Sequence, residues 1–165
     1  SKILRGENAW INSIPEIIKL TKSPLLIGRS LNTKELRFKI LKSLTTHNLN
    51  VSFEELDFDC CEEDLERLYD LAIKGKNDSI IAAGGGKVLD SGKLLAEELS
   101  IPCITIPLSA ATCAGWTALA NIYSKNGEFI KDVKLKSCPD ILICDHSFIK
   151  TAPKETLSLL SHIHI

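Results

Sequence analysis

The residues best able to do chemistry are Gly84-Gly85-Gly86-Lys87-Val88-Leu89-Asp90. They follow the apolar run Ser79-Ile80-Ile81-Ala82-Ala83 and precede an amphipathic helical pattern. Three successive glycines let a backbone turn sharply and approach a bulky ligand with no Cβ in the way. A helix starting there turns free N–H groups and its positive dipole end toward that ligand. Strand, glycine turn and helix start together are how proteins hold a phosphate or pyrophosphate, so the stretch points to a nucleotide. The spacing is neither G-x-G-x-x-G nor the G-x-x-x-x-G-K-[ST] phosphate loop, because Val88 stands where Ser or Thr would follow Lys87. A tight connection without a ligand is the other reading, and these residues alone leave both open.

The elements that must position this turn alternate along the chain. Pro24 to Gly28 reads as a short buried strand ended by glycine. A helix follows, with Asn32 or Thr33 as cap, Glu35 placed for a capping box with Asn32, and Leu36, Ile40 and Leu44 on one face. Asn50 to Phe53 is a weaker strand. The next helix carries Leu65, Leu68, Tyr69, Ala72 and Ile73 on one face, and Glu62, Glu63 and Asp64 in its first turn, where the dipole favours negative charge. Ser79 to Ala83 is the strand before the glycines. The helix after them turns Val88, Gly92, Leu95, Ala96 and Leu99 inward and puts Asp90, Lys93 and Glu97 on another face. Pro102 to Ile106, Asn121 to Ser124 and Ile141 to Cys144 complete the strand candidates. Such alternation predicts an α/β fold, a parallel sheet covered by helices. Ligands of these sheets bind at the carboxyl ends of the strands, so Gly28-Arg29, Gly84 to Gly86 and the segment after Pro107 are expected to meet at one edge.

Bulk properties narrow the classes of function. A chain of 165 residues suits one domain that buries roughly 70% of its unfolded surface. With 44% hydrophobic and 25% charged residues it reads as a globular, water-soluble protein. A net charge of −1 gives no footprint for nucleic acid or an anionic membrane. No run is long enough to span a bilayer and no secretory leader is visible, so a cytoplasmic location is expected. The six cysteines form no C-x-x-C pair. Cys103 and Cys144 lie in apolar runs and read as small buried hydrophobes, in keeping with a reducing compartment. The sequence holds no methionine, so it is expected to be a trimmed, processed or partial chain.

Two segments together resemble a known family. Gly84-Gly85-Gly86-Lys87-Val88-Leu89-Asp90-Ser91-Gly92-Lys93 is similar to the G-G-G-K-x-x-D-x-x-K signature of the iron-containing alcohol dehydrogenase superfamily, in its glycerol-dehydrogenase-like branch. Ile106 to Thr112 resembles that branch's second nucleotide loop. Thr117 to Tyr123, Asn126 to Phe129, Pro139 to Asp145 and Ala152-Pro153 continue the match in order and spacing.

The resemblance implies a Rossmann-like, dehydroquinate-synthase-like N-terminal domain over residues 1–158. It also implies an all-helical metal domain that this chain lacks, with residues 159–165 a non-matching tail. It implies an oxidoreductase that moves a hydride between NAD(H) or NADP(H) and the CH–OH group of a small alcohol or a 2-oxo or 2-hydroxy acid, and it leaves room for a homo-oligomer. Carried over by position, Gly84, Gly85, Gly86 and Lys87 would lie against the pyrophosphate. Asp90 and Lys93 stand where the signature has its polar residues. Leu108, Ser109 and Ala111 would line the nicotinamide side, and Thr117, Leu119 and Tyr123 would complete the cofactor pocket. For Lys93, Leu119 and Tyr123, plain roles as a solvated helix residue or as packing stay open.

Three departures matter. Cys113 stands where glycerol dehydrogenases carry a substrate-contacting aspartate, and Thr112-Cys113-Ala114-Gly115-Trp116 looks instead like relatives that act on hydroxycarboxylates. A catalytic thiol is not expected of Cys113, since hydride transfer needs no nucleophile. Arg29 follows the first strand where NAD-preferring relatives often have an acid, and an arginine there suits a 2′-phosphate, so a lean toward NADP(H) is expected. The family's zinc or iron polarises the reacting oxygen. Its aspartate position falls near Ile163 and its histidines lie further on, so no metal site is expected, His162 and His164 included, and no hydride transfer by these residues alone. The rival readings are a non-catalytic nucleotide-binding module, an inert fragment and a relative of 3-dehydroquinate synthase. That synthase's threonine- and lysine-rich loop is missing around Leu108 to Trp116.

Overall fold

A computed structural model describes residues 1–29, 31–108 and 115–150, the last of these without its side chain. Six strands form one parallel sheet: β1 (Lys2–Gly6), β2 (Pro24–Gly28), β3 (Ser52–Glu55), β4 (Ser79–Gly84), β5 (Cys103–Pro107) and β8 (Ile141–Asp145). Their spatial order is β1-β8-β5-β4-β2-β3. Helices α1 (Ala9–Leu20), α2 (Lys34–Thr46), α3 (Glu62–Lys74) and α4 (Gly86–Leu99) connect them, and a short α5 (His146–Lys150) follows β8. Between β5 and β8 the chain makes an antiparallel hairpin of β6 (Leu119–Tyr123) and β7 (Phe129–Lys134).

The sheet is covered on both faces, which is why its central strands are buried along their whole length and mostly apolar. Side chains alternate across a strand. On β4, Ile81 and Ala83 join Leu26, Ile104, Ile106, Ile141 and Ile143 under α1 and α2, with Trp10, Ile14, Ile17, Ile40 and Leu44. Ile80 and Ala82 face the other way, with Leu25, Ile27 and Cys103, under Leu68 and Ala72 of α3 and Val88, Leu89 and Leu95 of α4. Helix α4 comes unusually close to the sheet. A Cβ on Gly92 would stand 2.5 Å from that of Ala82, so only glycine fits there.

The expected alternation is present, with local corrections. Asn121 to Ser124 belongs to the antiparallel hairpin, not the parallel sheet, and β7 beside it was not expected. Its exposed, charge-rich sequence shows no apolar period. The cap of α2 is Thr33 rather than Asn32, without a side-chain capping bond of its own, after a 3₁₀ turn over Leu31–Thr33. Ile73 is 54% exposed and leaves the buried face of α3. Cys103 and Cys144 are buried as expected, and burial pushes the Cys103 thiol up to about 12. Among the described residues, no helix is long and apolar enough to cross a membrane.

Candidate functional site

The strand register brings the expected edge together. Gly28 pairs with Glu55 at the end of β3, Ile27 with Ala82 of β4, and Gly84 with Pro107 of β5. At this edge Arg29, Gly84, Gly85, Gly86, Lys87 and Val88 line a cavity of about 200 Å³. Gly85 caps α4 in extended conformation, and among the described residues no side chain caps an N–H of the first turn of the helix. Among the described residues the N–H groups of that turn thus have no side-chain competitor, as an incoming anion requires. The Leu108 amide donates to the Gly84 carbonyl at 3.0 Å and fixes the back of the turn.

Two cations flank the cavity and share one carboxylate. The Lys87 ammonium lies 2.6 Å from Asp59 Oδ2, and Arg29 Nη1 lies 3.4 Å from Asp59 Oδ1. The cationic side chains are each 42% exposed, whereas that of Asp59 is 5% exposed. Lys87 Nζ also stands 4.7 Å above the ring of Tyr123, within reach of a cation–π attraction. The loop that presents Asp59 is shaped from α3. Asp64 accepts the amides of Asp57, Phe58 and Asp59 at 3.0, 2.8 and 3.1 Å.

A second Asp–Lys pair lies further along α4, and it is buried. Asp90 Oδ1 is 2.9 Å from Lys93 Nζ, with side-chain exposures of 10% and 2%. Lys93 also donates to the Leu119 carbonyl at 2.6 Å, and to the carbonyl and hydroxyl of Thr117 at 3.2 and 3.3 Å. Asp90 Oδ2 accepts the Asn121 amide at 3.0 Å. The pair therefore latches the start of β6 onto α4. Lys93 is no solvated helix residue, because the hairpin closes over it.

The residues singled out in the sequence thus divide. Arg29, the three glycines and Lys87 surround one cavity, and Tyr123 joins them through Lys87. Asp90, Thr117 and Leu119 gather around Lys93, six residues and about 9 Å along the helix from Lys87. Leu108 is 1% exposed and packs in the core. Ser109, Ala111 and Cys113 lie outside the described residues. Sequence reasoning missed Asp59, which belongs to no motif, and Arg37. The Arg37 side chain is 1% exposed and lies across Gly28, where a Cβ would stand 2.0 Å from Arg37 Cδ. Its guanidinium donates to the Thr33 hydroxyl and pairs with Glu55 at 3.6 Å. Burial lowers the pKa of this arginine while Glu55 works to raise it. A glycine ending a strand, with an arginine one helical turn into the next helix, was the available signal.

The cavity suits a phosphate-bearing cofactor through its glycine turn, uncapped helix and two cations. Among the described residues, no three His, Cys, Asp or Glu side chains come together as an ion would need.

Comparison with known proteins gives one consistent family. The iron-containing alcohol dehydrogenase profile matches residues 1–146. An uncharacterized oxidoreductase of Synechocystis is 42% identical over 140 residues, covering 84% of this chain and 36% of its own length. A glycerol dehydrogenase of Escherichia coli O6:H1 is 29% identical, over 95% of this chain and 43% of its own. The crystal structure of glycerol dehydrogenase from Schizosaccharomyces pombe superposes with a TM-score of 0.81 at 26% identity, over 94% of this chain and 40% of that one. The chain spans less than half the length of these relatives.

Proposed function

Since the chain belongs to the iron-containing alcohol dehydrogenase family, we propose that its glycine turn grips the pyrophosphate of NAD(H) or NADP(H). On this reading it is the cofactor-binding part of an oxidoreductase acting on the CH–OH group of a small alcohol or hydroxy acid. The observation that carries this is the cavity at the uncapped start of α4, lined by Gly84, Gly85, Gly86, Lys87 and Arg29. When bound, the nicotinamide supplies the hydride chemistry. The protein's task is to hold it. The amides of the first turn of α4 and the Lys87 ammonium meet the pyrophosphate charge. Arg29, at the end of β2, faces the adenosine ribose and favours a 2′-phosphate, which gives the lean toward NADP(H). Tyr123 holds the Lys87 side chain at the mouth. Asp90 and Lys93 act as positioning residues, fixing Thr117 and Leu119 beside the cofactor. Leu108 backs the turn, and the family resemblance assigns Ser109 and Ala111 to the nicotinamide and Cys113 to the substrate.

Trp116 is part-buried where the chain rejoins the hairpin, and it supplies the test. Titration with NADPH should quench its emission saturably at micromolar to millimolar concentrations. Quenching unaltered in a Trp10→Phe variant assigns the signal to Trp116. Emission that stays constant through the millimolar range would remove the dinucleotide reading.

A further inference from the structure

Arg29 and Lys87 are the two cations at the glycine turn, and both rest on Asp59. That carboxylate cannot follow them. Its backbone amide is held by Asp64 at 3.1 Å, and its Oδ1 accepts the Cys60 amide at 2.9 Å. The cations are half exposed on long flexible stems. A phosphate group arriving in the cavity is therefore met by two cations already paired with, and partly neutralised by, one internal carboxylate. Taking them from Asp59 leaves a buried carboxylate with, among the described residues, a single backbone donor, which costs stability.

We propose that Asp59 is a built-in counter-ion that competes with the cofactor's phosphates for Arg29 and Lys87, and so is a specificity-determining residue of this site. The proposal rests on the dinucleotide reading above. Lys87 leaves Asp59 for the pyrophosphate of either cofactor. Arg29 is drawn away only by a 2′-phosphate, and with a free ribose hydroxyl it stays on Asp59. The carboxylate thus weakens NADP(H) more than NAD(H) and narrows the preference that Arg29 creates. One buried acid keeps both cofactors within reach of one site.

The test compares NADPH and NADH binding by calorimetry in the unaltered protein and in Asp59→Asn. The variant should bind NADPH about tenfold more tightly and NADH less markedly so, and the gain should vanish in an Arg29→Gln, Lys87→Gln background. Unchanged or weaker NADPH binding in Asp59→Asn, with binding intact in the parent protein, overturns the counter-ion and leaves the dinucleotide reading standing. Failure of both proteins to bind either dinucleotide overturns both. A measurement on the unaltered protein covers a variant that does not fold. The ¹³C resonance of the Asp59 carboxylate should move as NADPH saturates the site, and a resonance that stays in place refutes the proposal.

Discussion

Helix α4 supplies the lysines of two Asp–Lys pairs of the same chemistry and nearly the same length, 2.6 Å for Asp59–Lys87 and 2.9 Å for Asp90–Lys93. Their surroundings separate them. Lys87 is 42% exposed, so water can solvate it whenever it leaves its partner, while Asp59 keeps Arg29 and the Cys60 amide. Lys93 is 2% exposed and also donates to Thr117 and Leu119, so nothing replaces its partners if they are lost. An exchangeable pair faces the ligand, and a fixed pair holds the hairpin. Burial rather than distance decides which pair can take part in binding.

Removing one member of each pair tests this most directly. Lys93→Ala leaves Asp90 buried and uncompensated, and should cost about 3–5 kcal/mol in denaturant unfolding. A loss below about 1 kcal/mol would show that the latch is not fixed. The close approach of α4 to the sheet predicts the next effect. Gly92→Ala sets a methyl against Ala82, with neither group able to swing aside, and should destabilise by about 1–3 kcal/mol. Lys87→Gln should leave the unfolding midpoint almost in place while weakening NADPH binding about tenfold. A large stability loss with intact binding would reverse the comparison. Arg29→Asp should lower the NADPH-to-NADH preference, and an unchanged ratio would remove Arg29 from the site.

The smallest change is one of pH dependence. Burial tends to raise the pKa of Asp145, but the Ser147 hydroxyl and the amides of Trp10, Ser147 and Phe148 outweigh it and hold the carboxyl below its usual value. A folded pKa below the unfolded one of about 3.9 stabilises the protein above that pH. This contribution is lost as pH falls through the folded value. Asp145→Asn should therefore flatten the acid side of the stability profile, and parallel profiles for the two proteins would exclude this role.

The sheet's interior was the most legible part of the sequence, because strands buried on both faces read as unbroken apolar runs. The edges were not. In β1, Lys2 and Arg5 interrupt a five-residue strand, and in β7 almost every side chain is exposed. The glycine turn was readable because a backbone need is written in residue type. Asp90 and Lys93 were visible as a pair on one helix face, but their burial depends on a hairpin whose pairing lies outside any local period. Asp59 offered no signal. It acts through a loop that Asp64 shapes from five residues away, and only folding places it between Arg29 and Lys87.

The guanidinium of Arg37 lying across Gly28 links two sites that are nine positions apart. Any side chain at 28 would claim the volume that Arg37 fills, so the two positions should vary together among related sequences. A swap of the β2 end alone, intended to graft another ribose preference, would collide with the helix. The transferable unit is the strand end with the first turns of α2, and inheritance should keep them as one block.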